Sequence, residues 1–135
     1  MRPIDESISV SGQVMPEQVE ALKAAGFTML VQNRPDGEAP GQPGSAELAA
    51  AAETAGMSFR YVPLGPAGLS PELVEAMGEA LDAAQGKVLA FCAAGMRSTF
   101  LWALARAAKG DDAESLVAKA AGAGYDITPI RPHLG

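Results

Sequence analysis

Four short apolar runs of strand length alternate with segments that carry helix-start and helix-stop signals along this 135-residue chain. Such an alternation favours an α/β fold, because parallel strands need crossover connections and these are usually helices. Near-continuous apolar runs bounded by glycine or proline are typical of strands buried in a sheet. The predicted strands cover residues 8–14, 28–33, 58–64 and 87–91.

The segments between and after these strands predict five helices. Proline suits the first turn of a helix and glycine suits the position after its end, as at Pro16 and Gly26. Ser45, Ser70 and either Asp111 or Asp112 are predicted N-caps. The predicted helices cover residues 16–26, 45–56, 70–84, 98–110 and 111–124, and the tail that follows is predicted to be irregular.

These elements predict one domain over residues 1–135, with a three-layer α/β architecture. We expect a mainly parallel sheet of four to five strands with helices on both faces. Hydrophobic residues make up 48% of the chain, which is enough for a packed core. Ligands of such sheets bind beyond the carboxyl ends of the strands, so the loops after the strands are where a site is expected.

Charge and cysteine content exclude several classes of function. The net charge is −6 with no basic run, so neither nucleic acid nor an anionic membrane surface is an expected partner. One cysteine excludes an internal disulfide, and one cysteine with one histidine argues against a structural zinc site, so no metal or cofactor is expected. No apolar run is long enough for a signal core or a membrane span, and a cytoplasmic location is therefore predicted.

The segment FCAAGMRST joins the predicted strand 87–91 to a predicted helix and contains the only cysteine, Cys92. A chain that curls from a strand into a helix turns successive N–H groups inward, which makes an anion-binding cradle at the helix N-terminus. Gly95 supplies a positive φ where the loop is tightest. The predicted anion-binding loop consists of Ala93, Ala94, Gly95, Met96 and Arg97.

Within this loop Cys92 is the predicted nucleophile, because inward amides and a helix N-terminus lower the pKa of a thiol. Arg97 offers a planar fork for an oxyanion, and Ser98 or Thr99 is positioned to hydrogen-bond the sulfur. The alternative is a small buried thiol without chemistry. Arginine has the wrong sign for a helix N-terminus, and a bound anion would resolve that conflict, so we favour the functional loop.

The stretches ISVSGQ, AAGFTMLVQNRPDGE, CAAGMRS and LWALAR resemble the phosphatase-like domain of beta-lactamase-hydrolase-like proteins, a bacterial family. The resemblance covers nearly the whole chain. It implies a dual-specificity phosphatase fold, and family members have been labelled both phosphatase-like and sulfur transferase. The family often has histidine before the cysteine and arginine after it, where this chain has Phe91 and Ala93.

The length of the cysteine loop bears on whether phosphorus or sulfur is transferred. Four residues separate Cys92 from Arg97, one fewer than in cysteine phosphatases, and this shorter loop resembles that of rhodanese-type sulfurtransferases. Phosphatases also need a general acid, but the loop after the strand 58–64 has no carboxylate until Glu72. Asp36 and Glu38 are possible substitutes, although Pro-Asp-Gly is a turn signal and Glu38 is a candidate ion-pair partner for Arg34.

Three functions remain open. Sulfur transfer through a Cys92 persulfide is favoured, since it needs no general acid. The alternatives are a phosphatase that works through a Cys92 phosphocysteine, with Asp36 as acid, and a non-catalytic anion-binding domain. The expected substrate is a small anion, either a sulfane sulfur donor or a phosphate ester, and Arg34 is a possible contact to it. Since no second cysteine exists, an external thiol is the expected acceptor.

Overall fold

Five strands form one sheet in the computed structural model, which describes all 135 residues. The strands are β1 (Arg2–Pro3), β2 (Ile8–Ser11), β3 (Phe27–Gln32), β4 (Ser58–Tyr61) and β5 (Lys87–Phe91). The α-helices are α1 (Val19–Ala24), α2 (Ser45–Ala55), α3 (Pro71–Ala83), α4 (Met96–Ala108) and α5 (Ala113–Gly122). Two 3-10 helices, Pro16–Gln18 and Thr128–His133, precede α1 and follow α5.

The strand order is β1-β2-β5-β3-β4, with β1 antiparallel to β2 and all other neighbours parallel. The central strand is therefore β5, and its last residue Phe91 pairs with Ser11 on one side and with Gln32 on the other. The next amide, that of Cys92, donates to the carbonyl of Ser11 at 3.2 Å. Cys92 thus leaves the middle of the sheet at its carboxyl edge, where ligands of such sheets bind.

Helices cover both faces of the sheet, as predicted. The larger core contains 22 buried residues and packs α3, α4 and α5 on one face, with Met77, Trp102 and Leu116 among them. The smaller core contains nine buried residues and packs α1 and α2 on the other face through Val19 and Leu48. The three-layer α/β prediction with a mainly parallel sheet is confirmed. Because β5 is covered on both faces, the loop that follows it starts from a rigid base.

Several helix ends have the capping chemistry that the sequence predicted. The Ser70 hydroxyl accepts a hydrogen bond from the amide of Leu73 at 3.1 Å, with Pro71 at the first helical position. The Asp112 carboxylate accepts from the amide of Ser115 at 3.1 Å, so Asp112 rather than Asp111 caps α5. Each bond satisfies an amide that would otherwise lack a partner.

The structure differs from the prediction at several places. β2 ends at Ser11, three residues before the predicted end. Gly44, and not the predicted Ser45, is the N-cap residue of α2, whose first helical residue is Ser45. The strand β1 was not predicted, since two residues carry no periodic signal. β4 ends at Tyr61, three residues before the predicted end, and the tail forms a 3-10 helix that buries Ile130. α4 starts at Met96 instead of residue 98, because Gly95 takes the N-cap position with a φ of 93°. No helix is both long enough and apolar enough to cross a membrane.

Candidate active site

The loop between β5 and α4 curls around the sulfur of Cys92. Gly95 adopts a left-handed conformation with a φ of 93°, which side chains disfavour. Its amide donates to Cys92 Sγ at 3.1 Å. The amides of Ala94 and Ser98 are also directed at the sulfur. The predicted inward-facing cradle is therefore present, with the thiol at its centre and the methyl groups of Ala93 and Ala94 facing solvent.

The balance of forces on Cys92 favours the thiolate. The side chain is 1% exposed, and this burial by itself raises the pKa of the thiol. The Ser98 and Ala94 amides, the nearby Ser98 hydroxyl and the Gly95 amide act in the opposite direction and lower the pKa. Together they outweigh burial, so the pKa of Cys92 lies below its ordinary value. The thiol has the electrostatic surroundings of a nucleophile.

Ser98 and Thr99 were both candidates for a bond to the sulfur, and the structure separates them. The Thr99 hydroxyl donates to the Gly95 carbonyl at 2.7 Å, so Thr99 stabilises the loop from behind. The Ser98 hydroxyl is buried without a hydrogen-bond partner of standard geometry. It lies near Cys92 and contributes to the lowered pKa of that thiol. Ser98 is the hydroxyl available to the sulfur.

Arg97 lies in the first turn of α4 and is held by Glu38. Its Nη1 and Nη2 atoms each donate to one Glu38 carboxylate oxygen at 2.7 Å, and Nη1 also donates to the Leu64 carbonyl at 3.0 Å. The hydrogen bonds that Arg97 donates to Glu38 are the largest cause of a raised Arg97 pKa, and the negative charge of Cys92 and a hydrogen bond to it raise that pKa further. None of the bonds to Glu38 and Leu64 uses the Nε–H group of the guanidinium.

Glu38 connects two arginines. Besides Arg97, it accepts from Arg34 Nε at 2.9 Å, and Arg34 Nη1 donates to Gln13 Oε1 at 3.0 Å. The hydrogen bond from Arg97 lowers the Glu38 pKa most, burial opposes it, and Arg34 lowers it further, to about 2. Glu38 is therefore ionised at neutral pH. Arg34, the predicted substrate contact, lies behind Glu38 as the second cation of this group.

Asp36, the acid candidate of the phosphatase alternative, contacts the start of α2. Its two carboxylate oxygens accept from the amide and the hydroxyl of Ser45 at 2.8 and 2.6 Å. The Ser45 hydroxyl is the largest cause of a lowered Asp36 pKa, and Gln32 adds to it. An ionised acceptor at the start of α2 is suited to capping that helix, and it is poorly suited to donating a proton at neutral pH.

Two residues at the loop were not found by sequence reasoning. The Tyr125 hydroxyl, from the tail, donates to the Ala94 carbonyl at 2.9 Å. A Cβ on Gly12 would lie 2.9 Å from the Ala93 carbonyl oxygen, so glycine is needed for this close approach. Neither residue belongs to a local pattern that signals the contact. His133, the only histidine of the chain, lies away from the cysteine loop. It lines a groove between α3 and the end of α4 that contains no residue of that loop.

The fold and the site define the phosphatase-like class of protein. A cysteine follows the central strand of the sheet, and a curled loop then leads to an arginine at the start of a helix. A family model described as "Beta-lactamase hydrolase-like protein, phosphatase-like domain" matches residues 1–109. The chain belongs to this family. A relative from Agrobacterium fabrum, named beta-lactamase hydrolase-like protein, is 35% identical over 107 residues, which are 79% of this chain and 25% of the relative.

Solved structures agree with this assignment of the fold. The crystal structure of a candidate phosphatase from Neisseria meningitidis is 29% identical, with a TM-score of 0.81 over 98% of this chain and 94% of that one. Kinase associated phosphatase, with serine in place of its catalytic cysteine, is 17% identical with a TM-score of 0.70 over 94% and 83%. At 17% identity, the similarity to kinase associated phosphatase shows a shared fold alone. The chain spans about a quarter of the length of the curated relatives that it matches.

Proposed function

We propose that this chain is a cysteine-dependent sulfurtransferase that carries sulfur as a persulfide on Cys92. The observation that supports this most is the state of the groups around the thiol. Cys92 has a lowered pKa, whereas the carboxylates of Asp36 and Glu38 are already bound and have lowered pKa values. The site thus favours a nucleophile and an anionic product over protonation of a leaving oxygen.

The proposed reaction has two balanced steps. The Cys92 thiolate attacks the outer sulfur of thiosulfate, a new S–S bond forms, and the bond to the sulfonate sulfur breaks with its electron pair leaving on sulfite. Cys–S⁻ and S₂O₃²⁻ give Cys–S–S⁻ and SO₃²⁻. An external nucleophile, a thiolate or cyanide, then attacks the terminal sulfur and releases the Cys92 thiolate. Neither step requires a proton donor.

The loop provides a place for each charge in this reaction. The terminal sulfur of a persulfide extends about 2 Å beyond Sγ, into the space on which the loop amides converge. The amides of Ala94, Gly95 and Ser98 stabilise negative charge there, as they do on the thiolate. The Nε–H group of Arg97 is suited to the oxygens of the donor or of the departing sulfite. Four residues between Cys92 and Arg97 keep this space narrow.

A phosphatase is the second candidate, and the likeness to phosphatase structures favours it. In that case Cys92 would attack phosphorus and form a phosphocysteine, with Arg97 binding the phosphoryl oxygens. Because the nearby carboxylates are poor acids, such an enzyme would act best on esters whose leaving groups need no proton, such as aryl phosphates. If neither sulfur nor phosphoryl transfer occurs, the remaining candidate function is non-catalytic anion binding.

The test compares the wild-type chain with Cys92→Ala after exposure to thiosulfate or polysulfide. We expect wild-type protein to gain the mass of one sulfur atom and to release thiocyanate on addition of cyanide, and the variant to do neither. No added sulfur on Cys92, together with Cys92-dependent hydrolysis of an aryl phosphate, would establish the phosphatase instead. If both assays are negative and anions still protect Cys92→Ser against unfolding, the domain only binds anions.

A further inference from the structure

The peptide unit between Ala94 and Gly95 is held at both of its polar ends. Its N–H donates to Cys92 Sγ at 3.1 Å, and its C=O accepts from the Tyr125 hydroxyl at 2.9 Å. In a planar trans peptide these two groups point in opposite directions. The bond from Tyr125 on one side therefore fixes the direction of the N–H on the other.

Tyr125 is itself anchored beside the loop. Its ring lies under the Arg2 guanidinium, whose central carbon is 5.7 Å from the ring centroid, and Arg2 Nη1 donates to the Ala123 carbonyl at 3.1 Å. A Cβ built on Gly95 would overlap the Tyr125 hydroxyl oxygen, so the phenol packs directly on the loop backbone. The contact is close, and both partners are held by other parts of the chain.

We propose that Tyr125 is a positioning residue for Cys92: its hydroxyl holds the Ala94–Gly95 peptide so that the Gly95 N–H faces the sulfur. Residue 125 lies beyond residue 109, where the match to the family model ends. The tail of this chain thus completes a loop whose chemical groups all come from the matched segment. This inference deepens the proposed function, since it concerns the same thiol.

The physical consequence concerns the charge on the sulfur. If this peptide turned over, a carbonyl oxygen would face the thiolate in place of an N–H, and the thiolate would be destabilised. The charged groups around the thiol are Arg97 of α4, with Glu38 and Arg34 behind it, and Arg2 beside Tyr125.

Tyr125 itself adds no charge near pH 7. Burial raises its pKa most, Arg2 lowers it, and the charge on Cys92 raises it. Replacing Tyr125 with phenylalanine therefore removes a hydrogen bond and leaves the charges unchanged. A change in the Cys92 pKa of that variant would report the orientation of the peptide.

The experiment measures the rate of iodoacetamide alkylation of Cys92 against pH in the wild type, Tyr125→Phe and Tyr61→Phe. Tyr61 is the matched control, since its hydroxyl accepts from the Asp36 amide at 3.0 Å and makes no contact with the cysteine loop. We expect Tyr125→Phe to raise the Cys92 pKa and to slow alkylation near pH 7 by about threefold or more, because the rate follows the thiolate fraction. Tyr61→Phe should leave both unchanged.

Equal alkylation profiles for Tyr125→Phe and the wild type would overturn the positioning role. A shift of the same size in Tyr61→Phe would also overturn it, because any lost phenol would then suffice. Circular dichroism and the melting temperature of each variant show that the fold is retained. The assay uses no sulfur donor and no phosphate ester, so its result is independent of whether Cys92 forms a persulfide.

Discussion

Glu38 binds the end of the Arg97 guanidinium through both carboxylate oxygens, although the two residues are 59 positions apart in sequence. The Leu64 carbonyl takes a further hydrogen of Nη1. These partners occupy one edge of the guanidinium. Glu38 therefore orients Arg97 and leaves its Nε–H group free of these contacts.

Glu38→Gln is expected to weaken anion binding several-fold. Glutamine keeps the size of the side chain but has one acceptor oxygen and no charge, so Arg97 loses its fixed orientation. The measurement is isothermal titration of thiosulfate into a Cys92→Ser background, where no reaction follows binding. Glu53→Gln, an exposed change on α2, is the matched control. Tighter binding by Glu38→Gln would show that Glu38 competes with the anion for Arg97.

Protonation of Glu38 is expected to lower the free energy of unfolding in acid. Its folded pKa, about 2, lies below the ordinary value of 4.5, so the stabilisation is complete above about pH 4.5 and is lost as the pH falls towards 2. Because Glu38 is partly exposed, solvent screening limits the effect to about 1 kcal/mol. Urea unfolding should show wild type more stable than Glu38→Gln at pH 7, with the difference shrinking below pH 4. A difference that stays constant in acid would contradict the ion-pair assignment.

Asp36 can be tested by two substitutions that separate capping from acid catalysis. Asp36→Asn keeps an acceptor for the Ser45 amide but cannot donate an acidic proton, whereas Asp36→Ala removes both functions. We expect Asp36→Asn to retain the wild-type turnover of an aryl phosphate as well as of thiosulfate with cyanide, and Asp36→Ala to lose about 1 kcal/mol of stability, as for a lost cap. A hundredfold fall in turnover of Asp36→Asn, which is about the size of a lost general acid, would assign it the catalytic role.

Ser98→Ala is expected to raise the pKa of Cys92. The substitution removes the hydroxyl that helps to stabilise the thiolate and leaves the Ser98 amide in place. It also removes a buried oxygen without a standard partner, so little stability should be lost. The rate of alkylation against pH measures the shift, with Ser115→Ala on α5 as control. An unchanged pKa in Ser98→Ala would leave the backbone amides as the whole cause of activation.

Local sequence patterns were sufficient to predict the fold class and the cysteine loop. Strand-length apolar runs and capping residues are signals within a few positions, and Cys92, Gly95 and Arg97 lie within six residues of one another. The start of α4 was placed two residues late because Ser98 has the chemistry of a cap, whereas the left-handed Gly95 takes that position.

Contacts between segments distant in sequence could not be predicted from local patterns. Glu38 was paired with Arg34 at i,i+4 spacing, and that ion pair exists. Its stronger partner Arg97 depends on β3 lying beside β5, an order that no local pattern contains. Tyr125 reaches the loop only because the tail folds back over it. The side chains that orient the site were thus found only in the structure. The loop residues Cys92, Gly95 and Arg97 were predicted from the sequence.

Cys92 keeps 1% of its surface exposed and is the only thiol of the chain. A sulfur so recessed selects its reaction partners by width, because attack requires a straight approach to the sulfur. We therefore expect cyanide or a small thiolate to react at this sulfur, and a cysteine on the flat face of a folded protein not to react. For the same reason we expect no disulfide between two copies of the chain. The loop thus combines a lowered thiol pKa with near-complete burial of the sulfur.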